Sequence, residues 1–235
     1  MRFRAVFFDA GETLVHPVPT FPELFARIVS DEGHPREPEA VRDGLSMISG
    51  EFRRAARENE LWTTDPERSR RFWTTVYDRF LEFLDIPTTN GLTDVLYAAF
   101  TDLDNYGAFD DVRPVLEELR AGGTELGVIS NFESWLEELL AQLDLTGFFP
   151  VRVVSGLEGV EKPDPAIFRL ALGRIGLAPE ETVYVGDAPD FDVEPAAALG
   201  MFPVLIDRRE RHRGFEGPGA RITDLAQLPS VLETA

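Results

Sequence analysis

Four polar residues follow short apolar runs in this sequence: Asp9, Ser130, Lys162 and Asp187. If those runs are parallel strands of an α/β sheet, their carboxyl ends meet at one edge and bring the four side chains together. Carboxylates there can attack a substrate or bind a hard cation, while a hydroxyl and an ammonium can bind an anion. Polar residues are also ordinary turn formers, so the spacing alone leaves both interpretations open.

The composition restricts the chemistry that these residues can support. With no cysteine, the chain has no disulfide, no thiolate nucleophile and no thiolate ligand for a metal. The three histidines, His16, His34 and His212, are not at ligand spacing, which leaves oxygen ligands. Only Lys162 among the 23 basic residues is a lysine. Biased codon usage explains this most simply, but the position is also one where a compact ammonium could be required.

The charge and hydropathy of the chain indicate which partners it can have. A formal net charge of -19 disfavours nucleic acid and anionic membranes, because both would be repelled. A small phosphorylated substrate is still compatible, since exposed charges are screened beyond roughly 8 Å and one cation can dominate a cleft. The N-terminus has no apolar stretch after a basic start, and no run approaches the ~20 apolar residues of a membrane span. We therefore expect a soluble cytoplasmic protein, either a monomer or a homodimer.

The first predicted strand is followed by a long helical block. Residues 3–8 are short and apolar enough to predict a buried strand. Four predicted helices follow a proline-rich connection, with no strand between them: 21–32, 37–59, 66–85 and 91–103. This order predicts a helical domain, residues 16–104, inserted into an α/β core of residues 1–15 and 105–235.

The second half of the chain alternates between predicted helices and strands. A helix over 112–121 ends at two glycines, and four apolar runs predict further strands: 125–129, 151–154, 182–185 and 202–206. Ser134 and the glutamate three residues later have the form of a capping box, which predicts that the next helix begins at Ser134. Asp164 and Pro165 open another helix as its cap and first-turn proline. Residues 208–221 are an Arg- and Gly-rich loop before a short closing element.

Four motifs in this order resemble those of the haloacid dehalogenase (HAD) superfamily of hydrolases: residues 8–14, 128–131, 161–163 and 185–192. Here they read Phe-Asp-Ala-Gly-Glu-Thr-Leu, Val-Ile-Ser-Asn, Glu-Lys-Pro, and Val-Gly-Asp followed by Asp192. The helical block lies where that family has its C1-type cap, over the active site. The resemblance covers nearly the whole chain and implies a doubly wound, Rossmann-like parallel sheet with an inserted all-helical cap domain.

The resemblance implies that Asp9 is the nucleophile of a phosphatase. A carboxylate can attack phosphorus and form an aspartyl-phosphate, which splits a difficult hydrolysis into two easier steps. Two anions must approach each other, so Mg²⁺ is needed between them, held by oxygen ligands. The family supplies these from the nucleophile, from the backbone carbonyl here belonging to Gly11, and from Asp187, with Asp192 in a supporting role. A helix N-cap is the alternative role for Asp192, and Asp190 is a weaker candidate for either.

Two further motifs are implied to stabilise the transferring phosphoryl group. Ser130 and the backbone N–H of Asn131 are placed to donate hydrogen bonds to the phosphoryl oxygens. Lys162 would neutralise charge on the nucleophile and on the intermediate. Each could instead be an ordinary loop residue, but their joint occurrence favours a phosphate-binding site. We therefore expect a small phosphorylated molecule as the substrate.

The first motif departs from the family at the acid/base position. Phosphatases of the family usually carry a second Asp two residues after the nucleophile, where this sequence has Gly11. Glu12 could take over the role if the flexible glycine lets its longer side chain turn inward; alternatively, it points to solvent. A general acid or base is worth about 10²- to 10⁴-fold, so we expect a phosphatase that prefers good leaving groups such as acyl or aryl phosphates.

Two alternative functions remain open from the sequence. The family's 2-haloacid dehalogenases also lack the second Asp and carry a Ser-Asn pair like Ser130 and Asn131, and they need no metal. They replace the Gly-Asp of the fourth motif, however, whereas Asp187 is present here. The second alternative is a HAD-like protein that binds a partner or ligand and has lost efficient turnover.

The helical block does not reveal the substrate. Its aromatic residues could line a pocket, but helical spacing favours a core: Trp62, Phe72, Trp73 and Tyr77. Two arginine clusters could bind a second anionic group, but interleaved acidic residues favour a solvated face: Arg53, Arg54 and Arg57, and Arg68, Arg70 and Arg71.

Overall fold

The structure, a computed structural model, describes residues 3–88 and 91–235. Met1 and Arg2, which belong to the predicted core, lie outside the described residues. The chain divides into two compact units. Met1–Val15 and Ala108–Ala235 form the sheet unit, and His16–Gly107 form the helical unit. The assignment of the helical unit as a C1-type cap stays a prediction.

The described residues form strands at the following positions: β1 (Ala5–Phe8), β2 (Val15–Pro17), β3 (Tyr106–Ala108), β4 (Glu125–Ser130), β5 (Val151–Val154), β6 (Thr182–Gly186), β7 (Phe202–Ile206) and β8 (Ala220–Ile222). The α-helices are α1 (Phe21–Asp31), α2 (Pro38–Asp43), α3 (Leu45–Arg57), α4 (Pro66–Phe83), α5 (Leu92–Phe100), α6 (Val112–Ala121), α7 (Leu136–Gln142), α8 (Ser155–Glu158), α9 (Pro165–Ile175), α10 (Glu194–Leu199) and α11 (Leu228–Thr234). Among residues 3–88 and 91–235, no helix is long and apolar enough to cross a membrane.

The sheet unit is built on six parallel strands in the order β5-β4-β1-β6-β7-β8. The central strand, β1, pairs with β4 and β6, so that Phe8 lies opposite Val128 on one side and Val185 on the other. All four residues of β1 are buried, as the continuous apolar run predicted. With helices flanking the sheet, this topology confirms the predicted α/β fold.

The sequence analysis did not predict the edge strand β8. The last two residues of the predicted loop 208–221 belong to this strand, which pairs with β7 in parallel. Three residues carry too little pattern to indicate a strand. Gly219 precedes β8 with a φ of +81°, and a Cβ there would lie 1.8 Å from the Pro203 carbonyl oxygen. The close approach to β7 therefore requires glycine at this position.

In the helical unit, the predicted helix 37–59 is two helices, α2 and α3, separated at Gly44. A Cβ on Gly44 would lie 2.4 Å from a ring carbon of Phe80. The chain therefore approaches α4 at this point more closely than any larger residue permits. The apolar periodicity that predicted one helix gave no sign of this break.

The aromatic residues of the helical block form the core of the helical unit. Phe72 stacks on Trp62 with 4.8 Å between ring centroids, and Phe52 stacks on both. Trp62, Phe72 and Tyr77 are buried, whereas Trp73 is partly buried and packs against the same cluster. The interpretation of these residues as core is therefore the right one.

Two predicted helix starts have different outcomes. Asp164 caps α9, because its side chain accepts a hydrogen bond from the Ala166 N–H. The capping box at Ser134 is wrong: α7 begins at Leu136, and no side-chain cap is present at its start. Residues 134 and 135 form a turn instead.

Candidate active site

The ends of three neighbouring strands bring the predicted site residues together. In the sheet order, β1 lies between β4 and β6, whose ends carry Ser130 and Asp187. Asp9 follows β1 directly, and its N–H donates a 2.8 Å hydrogen bond to the Val185 carbonyl. The three side chains therefore share one edge of the sheet, as parallel strands require.

Asp9 is a buried carboxylate with two donors on one oxygen. Its Oδ1 accepts a 2.9 Å hydrogen bond from Ser130 Oγ and a 2.7 Å hydrogen bond from Lys162 Nζ. Asp9 is 6% exposed and Lys162 is 4% exposed, so this contact is shielded from bulk water. Burial raises the pKa of Asp9, although the positive charge of Lys162 opposes the shift. Both donors hold Oδ1, which orients the carboxylate.

Lys162 bridges two carboxylates. Besides Asp9, its Nζ donates to Asp192 Oδ1 at 2.6 Å and to the Tyr184 hydroxyl at 3.0 Å. Burial alone would lower the pKa of Lys162, but the charges of Asp192 and Asp9 outweigh it and raise the pKa above its ordinary value. The lysine is therefore a fixed positive charge beside Asp9.

Asn131 positions the backbone of Lys162. Its side-chain Nδ2 donates to the Lys162 carbonyl at 2.8 Å, and its Oδ1 accepts from the Lys162 N–H at 2.6 Å. This pair of hydrogen bonds joins the loop after β4 to the loop that carries the lysine. Lys162 lies eight residues beyond the end of β5, so this contact explains how it reaches the site.

Tyr184 is a site residue that the sequence analysis missed. It is fully buried on β6, and its hydroxyl donates to the Ile129 carbonyl at 2.8 Å while it accepts from Lys162. Burial, followed by the charges of Asp192 and Asp9, raises the pKa of Tyr184 well above its ordinary value, so it stays protonated. A tyrosine inside an otherwise apolar strand was the available signal, since a buried hydroxyl needs a partner.

Three carboxylates form a cluster that could hold a metal ion. Asp9, Asp187 and Asp192 each offer an oxygen within 4.8 Å of the others. Burial raises the pKa of Asp187 well above its ordinary range, and the negative charges of Asp192, Asp9 and Glu12 raise it further. A hard divalent cation would relieve this repulsion, and an all-oxygen donor set suits Mg²⁺. The residues present therefore fit the ion that the resemblance implies.

Asp192 is not the helix N-cap that was the alternative interpretation. It lies within the short π-helical turn Pro189–Val193, and its Oδ2 accepts a 2.9 Å hydrogen bond from the Ala188 N–H. Gly186 makes room for it, because a Cβ there would lie 2.3 Å from Asp192 Cγ. Asp190, in contrast, is exposed.

The loop after Asp9 turns back on itself, and the side chain of Glu12 pairs with Arg209. The Glu12 N–H donates to the Val15 carbonyl, and the Val15 N–H donates to the Ala10 carbonyl. Neither bond uses the Gly11 carbonyl, which is the metal ligand that the resemblance implies. Glu12 has a φ of +56°, and its Oε2 accepts from Arg209 Nη2 at 2.8 Å and from Nε at 3.1 Å. Its side chain is therefore neither free in solvent nor bonded to the Asp9 carboxylate.

Comparison with known proteins gives the same family from sequence and from structure. The family model for haloacid dehalogenase-like hydrolases matches residues 3–200. A phosphoserine phosphatase from Thermus thermophilus is 35% identical over 133 residues, which are 56% of this chain and 53% of that protein. The chain spans about half the length of the curated phosphatases that it matches.

Solved structures resemble the chain over nearly its whole length. The HAD-hydrolase YfnB from Bacillus subtilis aligns with a TM-score of 0.79 at 20% identity, covering 99% of both chains, which shows the fold. A 2-haloacid dehalogenase from Pseudomonas syringae aligns with a TM-score of 0.61 at 26% identity, again covering 99% of both. Phosphatases and dehalogenases thus both occur among the proteins that are similar to this one.

Proposed function

We propose that the chain, which belongs to the haloacid dehalogenase-like hydrolase family, is a Mg²⁺-dependent phosphatase acting on a small phosphorylated metabolite. Its family and its phosphatase relatives make it a phosphatase-like hydrolase. The observation that carries the finer proposal is the buried contact of Asp9 Oδ1 with Ser130 and Lys162. With both donors on Oδ1, Oδ2 of the same carboxylate is the oxygen that we propose as the nucleophile.

In the first step, Asp9 attacks the phosphorus atom of the substrate. An Asp9 oxygen forms a bond to phosphorus while the bond from phosphorus to the leaving-group oxygen breaks, so the phosphoryl group is transferred to Asp9. In the second step, water attacks the same phosphorus atom, releases inorganic phosphate and restores the carboxylate. Both steps place additional negative charge beside Lys162.

Lys162 and Ser130 are proposed to stabilise that charge. The Lys162 ammonium is fixed by Asp9 and Asp192, so its charge needs no rearrangement when the phosphoryl group arrives. Ser130 Oγ, buried beside Asp9, is within reach of a group carried on that carboxylate. Asn131 acts through Lys162, because its side chain holds the lysine backbone.

Asp9, Asp187 and the carbonyl of Gly11 are the proposed Mg²⁺ ligands, with Asp192 supporting them. When bound, the ion offsets the repulsion between the Asp9 carboxylate and the phosphate and withdraws charge from the phosphoryl oxygens. Asp192 Oδ1 already accepts from Lys162 Nζ, and its Oδ2 accepts from the Ala188 N–H, which favours its supporting role over direct ligation.

The site has no evident general acid for the leaving group. Gly11 has no side chain to protonate the leaving group, and Glu12 pairs with Arg209. We therefore propose that substrates with good leaving groups, such as acyl and aryl phosphates, react fastest. Equal turnover of alkyl phosphates at neutral pH contradicts this part of the proposal.

The experiment that tests the proposal is hydrolysis of p-nitrophenyl phosphate. The wild-type protein should turn it over with Mg²⁺ and lose activity in EDTA, and Asp9→Asn should lower kcat by at least about 10³-fold. Asp190→Asn is the control, because Asp190 is an exposed carboxylate in the segment Pro189–Val193 after β6. Phosphatase activity that survives in Asp9→Asn, or in EDTA, overturns the mechanism.

A 2-haloacid dehalogenase is the second candidate, and the alignment with the Pseudomonas syringae dehalogenase favours it. Its mechanism would use Asp9 to displace halide from carbon, with no metal. Asp187 argues against it, since Asp9, Asp187 and Asp192 bring carboxylate oxygens within 4.8 Å of one another, a donor set that suits a cation which dehalogenation does not use. Halide release from a 2-haloacid in EDTA would select this function instead. Turnover of neither substrate class would leave standing the third alternative, a HAD-like protein that binds a partner or ligand.

A further inference from the structure

We infer that Arg209 recognises a carboxylate on the substrate, so that the preferred substrates are phosphate esters bearing a second anionic group. This inference rests on the proposed function, since it concerns the same site. It begins from a recess beside Asp187 that the proposed chemistry does not use.

The recess is small and mostly lined by one loop. Its volume is about 30 Å³, and it is lined by Glu12, by Asp187 and by residues of the segment 206–212. The loop supplies three arginines and a histidine, although the chain as a whole has a net charge of -19. A local concentration of cations beside the phosphoryl site is the electrostatic pattern that attracts an anionic group.

Two of the neighbouring arginines are held by ion pairs within the sheet unit. Arg208 pairs with Asp111 at 2.8 Å, donates to the Thr13 carbonyl and stacks on the Phe109 ring. Arg221 pairs with Asp207. Both are therefore held by buried or half-buried partners within the sheet unit and are poor candidates for binding a ligand.

The carboxylate of Asp207 fixes the loop that carries Arg209. It accepts hydrogen bonds from the N–H groups of Arg211 and His212 and from the Arg221 guanidinium. Because these hydrogen bonds fix the backbone of the loop, they hold the residue Arg209 in a defined position. A binding group that is already positioned loses less entropy when a ligand arrives.

Arg209 already binds a carboxylate, that of Glu12. Both Nε and Nη2 of Arg209 donate to the same oxygen, Glu12 Oε2. The two side chains are 28% and 34% exposed, and an ion pair this exposed contributes little, so exchange for another carboxylate costs little. Since Nε and Nη2 already donate to Glu12, a substrate carboxylate would replace Glu12 on Arg209.

The position of Arg209 suits a molecule that spans two anionic groups. Asp187 lines the same recess, and an Asp187 oxygen lies within 4.8 Å of an Asp9 oxygen. A phosphoryl group at Asp9 and a carboxylate at Arg209 can therefore belong to one small molecule. A guanidinium binds a carboxylate through its planar fork, which gives the interaction directional specificity.

The test measures binding in Asp9→Asn, in which turnover is blocked. With Mg²⁺ present, calorimetry compares 3-carboxyphenyl phosphate with its neutral amide, 3-carbamoylphenyl phosphate, which has the same shape. We expect the carboxylate ligand to bind roughly ten- to a hundredfold more tightly, as for a charged hydrogen bond. Adding Arg209→Met should remove this preference, so that the carboxylate ligand no longer binds more tightly than the amide.

Arg213→Met in the same Asp9→Asn background is the matched control. Arg213 lies in the same loop, pairs with Glu210 and does not line the recess, so the preference should persist. Circular-dichroism melting verifies that each variant folds. A preference unchanged by Arg209→Met, or the lack of any preference, overturns the inference. Failure of the phosphatase proposal is read separately, from p-nitrophenyl phosphate hydrolysis by the protein with Asp9 intact.

Discussion

Lys162 Nζ lies 2.6 Å from Asp192 Oδ1, which is as close as it lies to the candidate nucleophile Asp9. One buried ammonium is thus shared between two carboxylates. Asp192 in turn is held by the Ala188 N–H and lies against Gly186, so its position is fixed by the turn after β6. This chain of contacts makes Asp192 a positioning residue for the lysine.

Asp192→Asn should therefore lower kcat without a comparable change in KM. The amide keeps the shape but removes one of the two charges that hold Lys162, and we expect a loss of roughly ten- to a hundredfold in kcat. Steady-state kinetics with p-nitrophenyl phosphate measures it. Asp190→Asn removes a carboxylate from the same turn at an exposed position and should leave kcat unchanged. Equal kcat in both variants would contradict the positioning role.

Tyr184→Phe should reduce both stability and activity. Loss of the hydroxyl leaves the Ile129 carbonyl without its donor and Lys162 without one acceptor, all in a buried setting. We expect the free energy of unfolding to fall by about 1–3 kcal/mol and kcat to fall severalfold. Urea denaturation and steady-state kinetics measure the two effects.

Tyr106→Phe provides the control for Tyr184→Phe. The Tyr106 hydroxyl also donates to a backbone carbonyl, that of Phe100, at 2.9 Å, but within the helical unit. Removing this hydroxyl should also lower the free energy of unfolding, because a hydrogen bond of the same kind is lost, while kcat stays at the wild-type value. If both variants lose activity in proportion to stability, Tyr184 is only a structural residue.

In the metal-free protein, the stability that Asp187 contributes should fall as the pH rises above about 4, where an aspartate in the unfolded chain ionises. Folding raises the pKa of Asp187, so the folded state retains a proton that the unfolded state releases, and stability is lost as the pH rises toward the raised pKa. Asp9 shifts in the same direction. Asp187→Asn should flatten this profile in urea titrations performed in EDTA.

Mg²⁺ should oppose the same loss. At about 100 times its Kd, an ion that binds only the folded state adds about 2.7 kcal/mol to the free energy of unfolding. We expect this gain in the wild-type protein at pH 7 and little of it in Asp187→Asn. A gain of equal size in both proteins would show that the ion binds elsewhere.

The sequence predicted the parts of the site that strand topology alone determines. Asp9, Ser130 and Asp187 follow β1, β4 and β6, and neighbouring parallel strands end at one edge whatever their side chains are. The boundaries of these strands follow from continuous apolar runs. For the same reason, the very short edge strand β8 and the break at Gly44 were missed, since neither changes the apolar pattern.

Contacts between distant segments lay beyond the sequence analysis. Glu12 and Arg209 are separated by 197 positions, and nothing near either residue indicates the other. The hydroxyl of Tyr184 signalled a partner but not which one, because Lys162 reaches it only through a loop held by Asn131. Local sequence patterns thus predict where a residue lies in the sheet, while the packing of distant segments determines what its side chain contacts.

Gly11→Asp should restore the missing general acid. A Cβ at Gly11 meets only Phe132 Cε2, at 3.8 Å, and the backbone is not in the left-handed region that favours glycine. The substitution should therefore fold, and it places a carboxyl two residues after Asp9, where the resemblance to the HAD phosphatases implies a general acid. Since a general acid or base is typically worth about 10²- to 10⁴-fold, kcat/KM for an alkyl phosphate should rise by about a hundredfold.

Gly11→Ala separates the carboxyl from the mere presence of a side chain. It adds the same Cβ without an acid, so its kcat/KM for the alkyl phosphate should stay at the wild-type value. For p-nitrophenyl phosphate, whose leaving group needs little protonation, the gain in Gly11→Asp should be much smaller. If Gly11→Asp and Gly11→Ala react equally fast with the alkyl ester, proton donation at this position does not limit the enzyme, and Glu12 or water already supplies it.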